Sequence, residues 1–326
     1  MGRADTAQLK HRASRLVPFV LLLFSEAVFA ALAPGDYDFP LPYQNIARNY
    51  LVHVPPQAAR GRSMPVVISF HGGGSNAEVM RAYTRMDRAS DRDGYIAVYP
   101  NGSSGYEGRF LTWNAGNCCG PAAALRIDDV GFSLAVLDDL ASRTSIDPSR
   151  IYATGLSNGA MMAYRLAAEA SERIAAVAGV AGAMTVARFA PKLPVPVMHI
   201  HSTDDPIALY EGGLGLPLSL ADTRTFHPPV EEMLRKWLDF DGCPVKPALV
   251  EPLQGKPGSA DQNQSAIRRV YRPCRAGVEV VLWQLSGAGH VWPGGVRDYM
   301  TQLLGTGTSV IDANAEMWRF FSRFKR

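Results

Sequence analysis

Six short runs of this 326-residue chain are β-rich and apolar on both faces: PVVISF (65–70), YIAVYP (95–100), RIYATG (150–155), IAAVAGVAG (174–182), VPVMHIHS (195–202) and VEVVLWQL (278–285). A strand with one wet face alternates apolar and polar residues, so these runs fit a parallel sheet covered on both sides. Helix-like segments lie between them, at 77–91, 128–143, 159–171, 228–240 and 311–323. The alternation predicts an α/β fold over residues 31–326, one domain built on a doubly wound, mostly parallel sheet. Residues 38–54 are expected to add antiparallel edge strands. Loops 101–127 and 209–227 should cover the carboxyl ends of the strands, where open α/β sheets place their sites.

The first thirty residues differ in kind. Lys10, His11, Arg12 and Arg15 precede the apolar stretch LVPFVLLLF (16–24), and small Val28 and Ala30 stand three and one places before a cleavage point. That is a signal-peptide pattern, and its apolar core is too short to span a bilayer. Export to a periplasm or beyond, with no membrane attachment after cleavage, is the expectation. The remaining chain carries 29 basic and 28 acidic side chains, after subtracting four basic and two acidic ones from the 33 and 30 of the whole. It is nearly neutral and has no clustered basic face, which argues against a nucleic-acid partner and names no other. Oligomeric state is not legible.

Export permits disulfides. Cys243 and Cys274 flank a polar segment, 255–269, that reads as an exposed loop, and a bridge between them would close its base. Cys118 and Cys119 are adjacent in WNAGNCCGP. They could bond to each other, pair elsewhere or stay reduced.

Chemistry enters at ATGLSNGAM (153–161), where Ser157 has a glycine two places to either side. The serine directly follows the strand 150–155 and directly precedes a helix, the context of a nucleophile elbow. The turn leaves no room for side chains at Gly155 and Gly159. A serine hydroxyl needs a base to take its proton. Of seven histidines, His11 belongs to the leader, His53 to an edge strand, His227 to a Pro-rich turn, and His199 and His201 to a buried strand. His71 opens an HGGG run with another task. His290, in SGAGHVWPGG after the last strand, completes the chain order serine, acid, histidine.

The acid should follow the strand before the last, where HSTDDP offers Asp204 and Asp205. Asp205 is favoured because Pro206 restricts its backbone. Such an aspartate orients the imidazole and stabilises its charged form. HGGG (71–74) after an early strand is an oxyanion-hole pattern, with the N–H groups of Gly73 and Asn158 as the expected donors. No Lys-Ser/Thr follows these glycines, so they do not read as a phosphate loop. His199 and His201 are strand-spaced without a third ligand nearby, so no metal and no organic cofactor are expected.

With these residues in hand, the chain resembles the secreted esterases of the polyhydroxybutyrate depolymerase and feruloyl/acetylxylan esterase group (carbohydrate esterase family one). FHGGG (70–74), VYPNG (98–102), WNAGNCCG (113–120), DDVGF (128–132), IDPSRIYATGLSNGAM (146–161), HIHSTDDP (199–206) and GAGHVWPGG (287–295) carry the likeness. The resemblance implies an α/β-hydrolase fold, a serine esterase with Ser157, Asp205 and His290 as its triad, and a structural Cys243–Cys274 disulfide. The group commonly reads HGTADP where this chain has HSTDDP, so Ser202 replaces a glycine at the strand end. Fold analogy does not fix the ester. Polyester or oligoester of the hydroxybutyrate type comes first, feruloyl or acetylxylan ester second. Trp113 and Trp292 beside the motifs could stack on an aromatic acyl group or sugar, or only pack. A peptidase using the same triad is a competing reading, and so is a catalytically inactive polymer-binding module, against which the intact Ser157, Asp205 and His290 speak.

Overall fold

The computed structural model describes residues 1–2, 32–104, 108–217 and 225–326. Apart from Met1 and Gly2, the expected leader lies outside them. The strands are β1 (Gly35–Pro40), β2 (Asn49–Val54), β3 (Met64–Phe70), β4 (Ile96–Pro100), β5 (Ile146–Leu156), β6 (Ala176–Val180), β7 (Val197–Ser202), β8 (Gly213–Leu214), β9 (Phe226–His227), β10 (Leu249–Gln254), β11 (Ser265–Tyr271) and β12 (Val280–Ser286). The helices are α1 (Ala77–Thr84), α2 (Met86–Asp93), α3 (Gly120–Ala124), α4 (Asp129–Arg143), α5 (Asn158–Glu169), α6 (Val230–Asp241), α7 (Thr301–Leu304) and α8 (Ala313–Phe321).

Ten strands form one sheet in the order β1-β2-β4-β3-β5-β6-β7-β12-β11-β10. The central strands, β4 through β12, run parallel, and both edges turn antiparallel. Because successive side chains on a strand point to opposite faces, each apolar run feeds two cores. Val66, Ile68 and Phe70 join α4, α5 and α6 on one face. Val67, Ala97, Tyr99 and Val281 join α1, α2 and α8 on the other. That split explains why these strands are apolar throughout.

Two expectations are corrected. The single helix at 77–91 is two helices, α1 and α2, separated by Arg85, whose φ of 54° is left-handed and closes α1 by donating its N–H to the Arg81 carbonyl. The polar segment 255–269 is not wholly a loop, because β11 begins at Ser265 and pairs with β10 and β12. Its strand character was masked by Arg268, which lies over the Trp283 ring and pairs with Glu251 at 2.8 Å. Long basic side chains can cover apolar surface in this way.

Cys243 and Cys274 are bonded, as are Cys118 and Cys119. The first bridge ties the end of α6 to the start of the loop between β11 and β12. Closing a segment of this length constrains the unfolded chain by roughly 3–4 kcal/mol. Paired Cys243→Ser and Cys274→Ser substitutions should lower the melting temperature by about 5–10 °C, read by calorimetry.

A second stability prediction comes from the amino end of the sheet. Asp241 is buried, accepts the Val195 N–H at 3.2 Å with one oxygen and, among the described residues, has no hydrogen bond on the other. Burial pushes its carboxyl up to about 7, against the opposing pull of Val195, Arg275 and Arg326. The folded state therefore binds this proton more tightly than the unfolded state, and stability is lost as pH rises from about 4 to about 7. Asp241→Asn should raise the melting temperature by a few degrees at pH 8 and change it little at pH 4, seen in paired thermal melts.

Candidate active site

Ser157 sits in the turn between β5 and α5 with φ 59° and ψ −123°, a conformation sparsely populated by residues with a side chain. The surrounding structure enforces it. The Ser157 N–H donates to the Val180 carbonyl at 2.8 Å, and its own carbonyl accepts the Met161 N–H at 3.1 Å. A Cβ at Gly159 would stand 2.1 Å from the Phe70 carbonyl oxygen, and one at Gly155 would stand 2.4 Å from Gly159 backbone atoms. β5 and β3 can approach α5 only because both positions lack side chains.

The other two candidates arrive from the strands β7 and β12, which lie side by side with carboxyl ends at the same edge as that of β5. His290 Nδ1 bonds Asp205 Oδ2 at 2.7 Å, and both residues are 2% exposed. The other carboxylate oxygen accepts the N–H groups of Ile207 and Ala208 at 2.8 and 2.9 Å. Burial works to raise the Asp205 pKa, but His290 and His201 outweigh it and hold the carboxyl well below the usual carboxylate range. Ser157 is 7% exposed, and its hydroxyl makes no hydrogen bond among the described residues. Such contacts are often loose without substrate and tighten on binding.

Asp204 points elsewhere. It accepts the Thr203 hydroxyl and the Gly287 N–H, each at 2.9 Å, and so ties the acid loop to the histidine loop. Ser202, in the place of the group's usual glycine, adds a second tie by donating to the Ala288 carbonyl at 2.5 Å.

The HGGG loop lies against the elbow. A Cβ at Gly72 would be 3.7 Å from the Ser157 Cβ, and one at Gly73 would be 3.5 Å from the Asn158 Cβ. Asn158 is the first residue of α5, and the first N–H groups of a helix have no intrahelical acceptor. Among the described residues the Gly73 N–H has no acceptor either. Two free donors thus stand next to Ser157. His71, fully buried, fixes the loop: its Nδ1 donates to the Gly72 carbonyl at 2.8 Å, and its Nε2 accepts the Gly102 N–H at 3.0 Å. Burial pulls its pKa down to about 4, partly offset by the Gly72 bond and reinforced by Arg48, so it is a neutral strut.

Trp113 and Trp292 are corrected as substrate platforms. They are 0% and 2% exposed, which leaves no ring face for a ligand. Trp113 is a strut instead. Its Nε1 donates to the His71 carbonyl at 3.0 Å, and its backbone N–H and carbonyl both bond the Asn158 side-chain amide, at 2.8 and 3.0 Å. Trp292 Nε1 donates to Asn314 on α8 at 3.2 Å.

Sequence reasoning missed the ion pair beneath this loop. Arg48 Nη1 is 2.8 Å from Asp129 Oδ1, both are buried, and the guanidinium lies 3.5 Å from the Phe132 ring centroid. Arg48 also donates to the Asn101 carbonyl, and Asp129 accepts the Asn114 N–H at 2.7 Å. Asp128–Asp129 reads as a helix start, and Asp128 is indeed the cap, accepting the Gly131 N–H. Nothing in that dipeptide shows that its second carboxylate turns inward to a residue 81 positions earlier.

Among the described residues, one group of acid and histidine side chains gathers closely enough for a metal ion: Asp36, His53 and Asp87. Arg81 pairs with both carboxylates, and His53 bonds Asp36 and Asp91 with its two nitrogens at 2.6 and 2.8 Å. Arg81 and His53 already engage these carboxylates within the protein.

An elbow serine near an acid–histidine pair on a mostly parallel sheet is the arrangement of a serine hydrolase of the α/β-hydrolase fold. Residues 48–217 match the family described as "Esterase PHB depolymerase", and the chain belongs to that family. It is a carboxylic ester hydrolase. The chain is 32% identical over 271 residues to the "Putative esterase NocK" of Nocardia uniformis subsp. tsuyamanensis, covering 79% of this chain and 74% of that protein. It is 27% identical over 253 residues to "Feruloyl esterase B" of Piromyces equi, a match over 74% of this chain but 42% of that longer protein. The acetyl xylan esterase from Aspergillus awamori superposes with a TM-score of 0.52 at 15% identity, covering 88% of this chain and 99% of its own, which shows the shared fold. Among the described residues no helix is long and apolar enough to cross a membrane.

Proposed function

We propose that this esterase is exported and works through an acyl-enzyme on polyester or oligoester of hydroxyalkanoic acids. The Ser157 hydroxyl attacks the ester carbonyl while His290 Nε2 takes its proton and then delivers it to the departing alkoxide. Asp205 holds the imidazolium, and the N–H groups of Gly73 and Asn158 receive the negative oxygen. Water then attacks the acyl group, His290 accepts a proton from it, and the free acid leaves with Ser157 restored. The observation that carries this reading is the Asp205–His290 bond of 2.7 Å at the same sheet edge as the Ser157 elbow.

The choice of acyl group is supported by the ribbon β8–β9. Leu214 and Phe226 are cross-strand partners on it, and both are exposed, as is Leu216. Leu216 N–H donates to the Pro206 carbonyl at 2.8 Å, so this apolar ribbon adjoins the acid loop. Paired exposed apolar side chains suit an aliphatic ester better than a sugar. The feruloyl reading is favoured by the 27% identity to a feruloyl esterase. Rates on hydroxybutyrate oligomers and on methyl ferulate separate the two. At least tenfold higher kcat/KM on the oligomer is expected, and the reverse order would sink the polyester assignment. Export is supported by the two disulfides among the described residues. N-terminal sequencing of the mature protein near residue 31 tests it.

A further inference from the structure

Asp205 has two imidazole neighbours, and the reaction proposed above uses one. His201 Nε2 lies 3.3 Å from the same Oδ2 that His290 Nδ1 approaches at 2.7 Å, and it meets the Ala208 carbonyl at 2.6 Å. Both oxygens are acceptors, so Nε2 carries a hydrogen and directs it at them. His201 Nδ1 faces His199 Nε2 at 3.0 Å, and His199 Nδ1 faces the Tyr164 hydroxyl at 2.8 Å. That hydroxyl is also 3.1 Å from the Met198 carbonyl. All four side chains in the line are buried.

Two proton arrangements satisfy it. With His201 neutral, its Nδ1 accepts from His199 Nε2–H, and the Tyr164 hydroxyl donates to His199 Nδ1. With His201 protonated, its Nδ1–H donates to His199 Nε2, His199 Nδ1–H donates to Tyr164 and the Tyr164 hydroxyl turns to the Met198 carbonyl. A proton added to His201 therefore leaves every link in the line made, and it places the cation against Asp205. Buried polar lines of this kind are maintained only when each member is satisfied.

We propose that His201 is a positioning residue for Asp205, and that the line Asp205–His201–His199–Tyr164 sets the pH at which His290 becomes available as a base. The proposal rests on the reading of Asp205 and His290 as acid and base. A donor on Oδ2 draws part of the carboxylate's charge away from His290, so removing that donor tightens the carboxylate's hold on the His290 imidazolium. The other titratable groups facing His201 are His199 on its own strand, His290 from the loop after β12, His227 on β9 and the Tyr210 ring edge, 5.8 Å away. His227 is buried, and among the described residues its Nδ1 has no partner. Burial, then His290 and His201, pull its pKa down to about 4, so it is uncharged in the working range. Asp205 is thus the charged neighbour of His201 at neutral pH.

The test is the pH profile of kcat/KM from pH 4 to 9 on p-nitrophenyl butyrate, by stopped assay, for the natural protein, His201→Phe, His201→Gln and Tyr164→Phe. His201→Phe should lower kcat roughly tenfold with KM within about twofold. Its acid limb should move up by about 0.5–1 pH unit. Gln, which still donates an N–H, should return most of the shift, and Tyr164→Phe should move the limb the same way by less. An acid limb identical to that of the natural protein, or a uniform loss at every pH, overturns the proposal. If circular dichroism shows His201→Phe unfolded, the Gln and Tyr164 variants decide: unmoved limbs in both overturn it. Failure of the underlying triad reading has a different signature, full activity in Asp205→Asn.

Discussion

Replacing Ser157 by alanine should lower kcat by on the order of 10⁵-fold, with the fold unchanged. The size follows from what remains. The free N–H groups near Gly73 and Asn158 can still polarise a bound ester, so a residual rate above that in water persists, but no acyl-enzyme forms. The removed atom is one hydroxyl in a site whose backbone is held by Val180 and Met161 rather than by that hydroxyl. A melting curve should therefore match the natural protein's within about 2 °C. The direct measurement is intact-mass spectrometry after treatment with an organophosphate. One adduct on the peptide containing Ser157 is expected in the natural protein, and none in the variant. An adduct on another residue, or esterase activity surviving the substitution, would place the nucleophile elsewhere.

The elbow was legible in the sequence because its constraints are local. Gly155 and Gly159 stand where strand meets helix, and the backbone distances found there, with Phe70 at the centre, are what such a turn requires. The central strands were legible for a similar reason, since a strand buried on both faces has no polar alternation to hide it. The hairpin β10–β11 was not, because it lies at an edge and its runs LVEPLQ and SAIRRVY mix proline, polar and adjacent charged residues without a regular alternation. The two tryptophans show the limit most clearly. Adjacency to a motif in sequence said nothing about which way a ring points, and Trp113 points into the core to hold His71 and Asn158. Arg48–Asp129 was illegible because its partners come from distant elements and carry no spacing of their own, and the strand-spaced His199 and His201 gave no sign that Tyr164 of α5 completes their line.

The choice between adjacent aspartates is where structure and sequence meet most usefully, and it yields the second large effect. Asp205→Asn should reduce kcat by roughly 10⁴-fold. The Asn amide keeps the shape, yet its NH₂ group would face either the His290 Nδ1–H or the backbone N–H groups of Ile207 and Ala208, donor against donor. The imidazole then loses either its tautomer or its anchor, and the cation formed during acylation loses its counter-charge. Asp204→Asn changes only the two exposed ties, to Thr203 and Gly287, and should lower kcat/KM by no more than about threefold. Steady-state kinetics on p-nitrophenyl butyrate for both variants decides between them. A deep loss in Asp204→Asn with Asp205→Asn near normal would reverse the assignment. The pH dependence adds a check: rates in Asp205→Asn should recover by an order of magnitude or more toward high pH, where hydroxide can assist the attack that the mis-set imidazole no longer promotes.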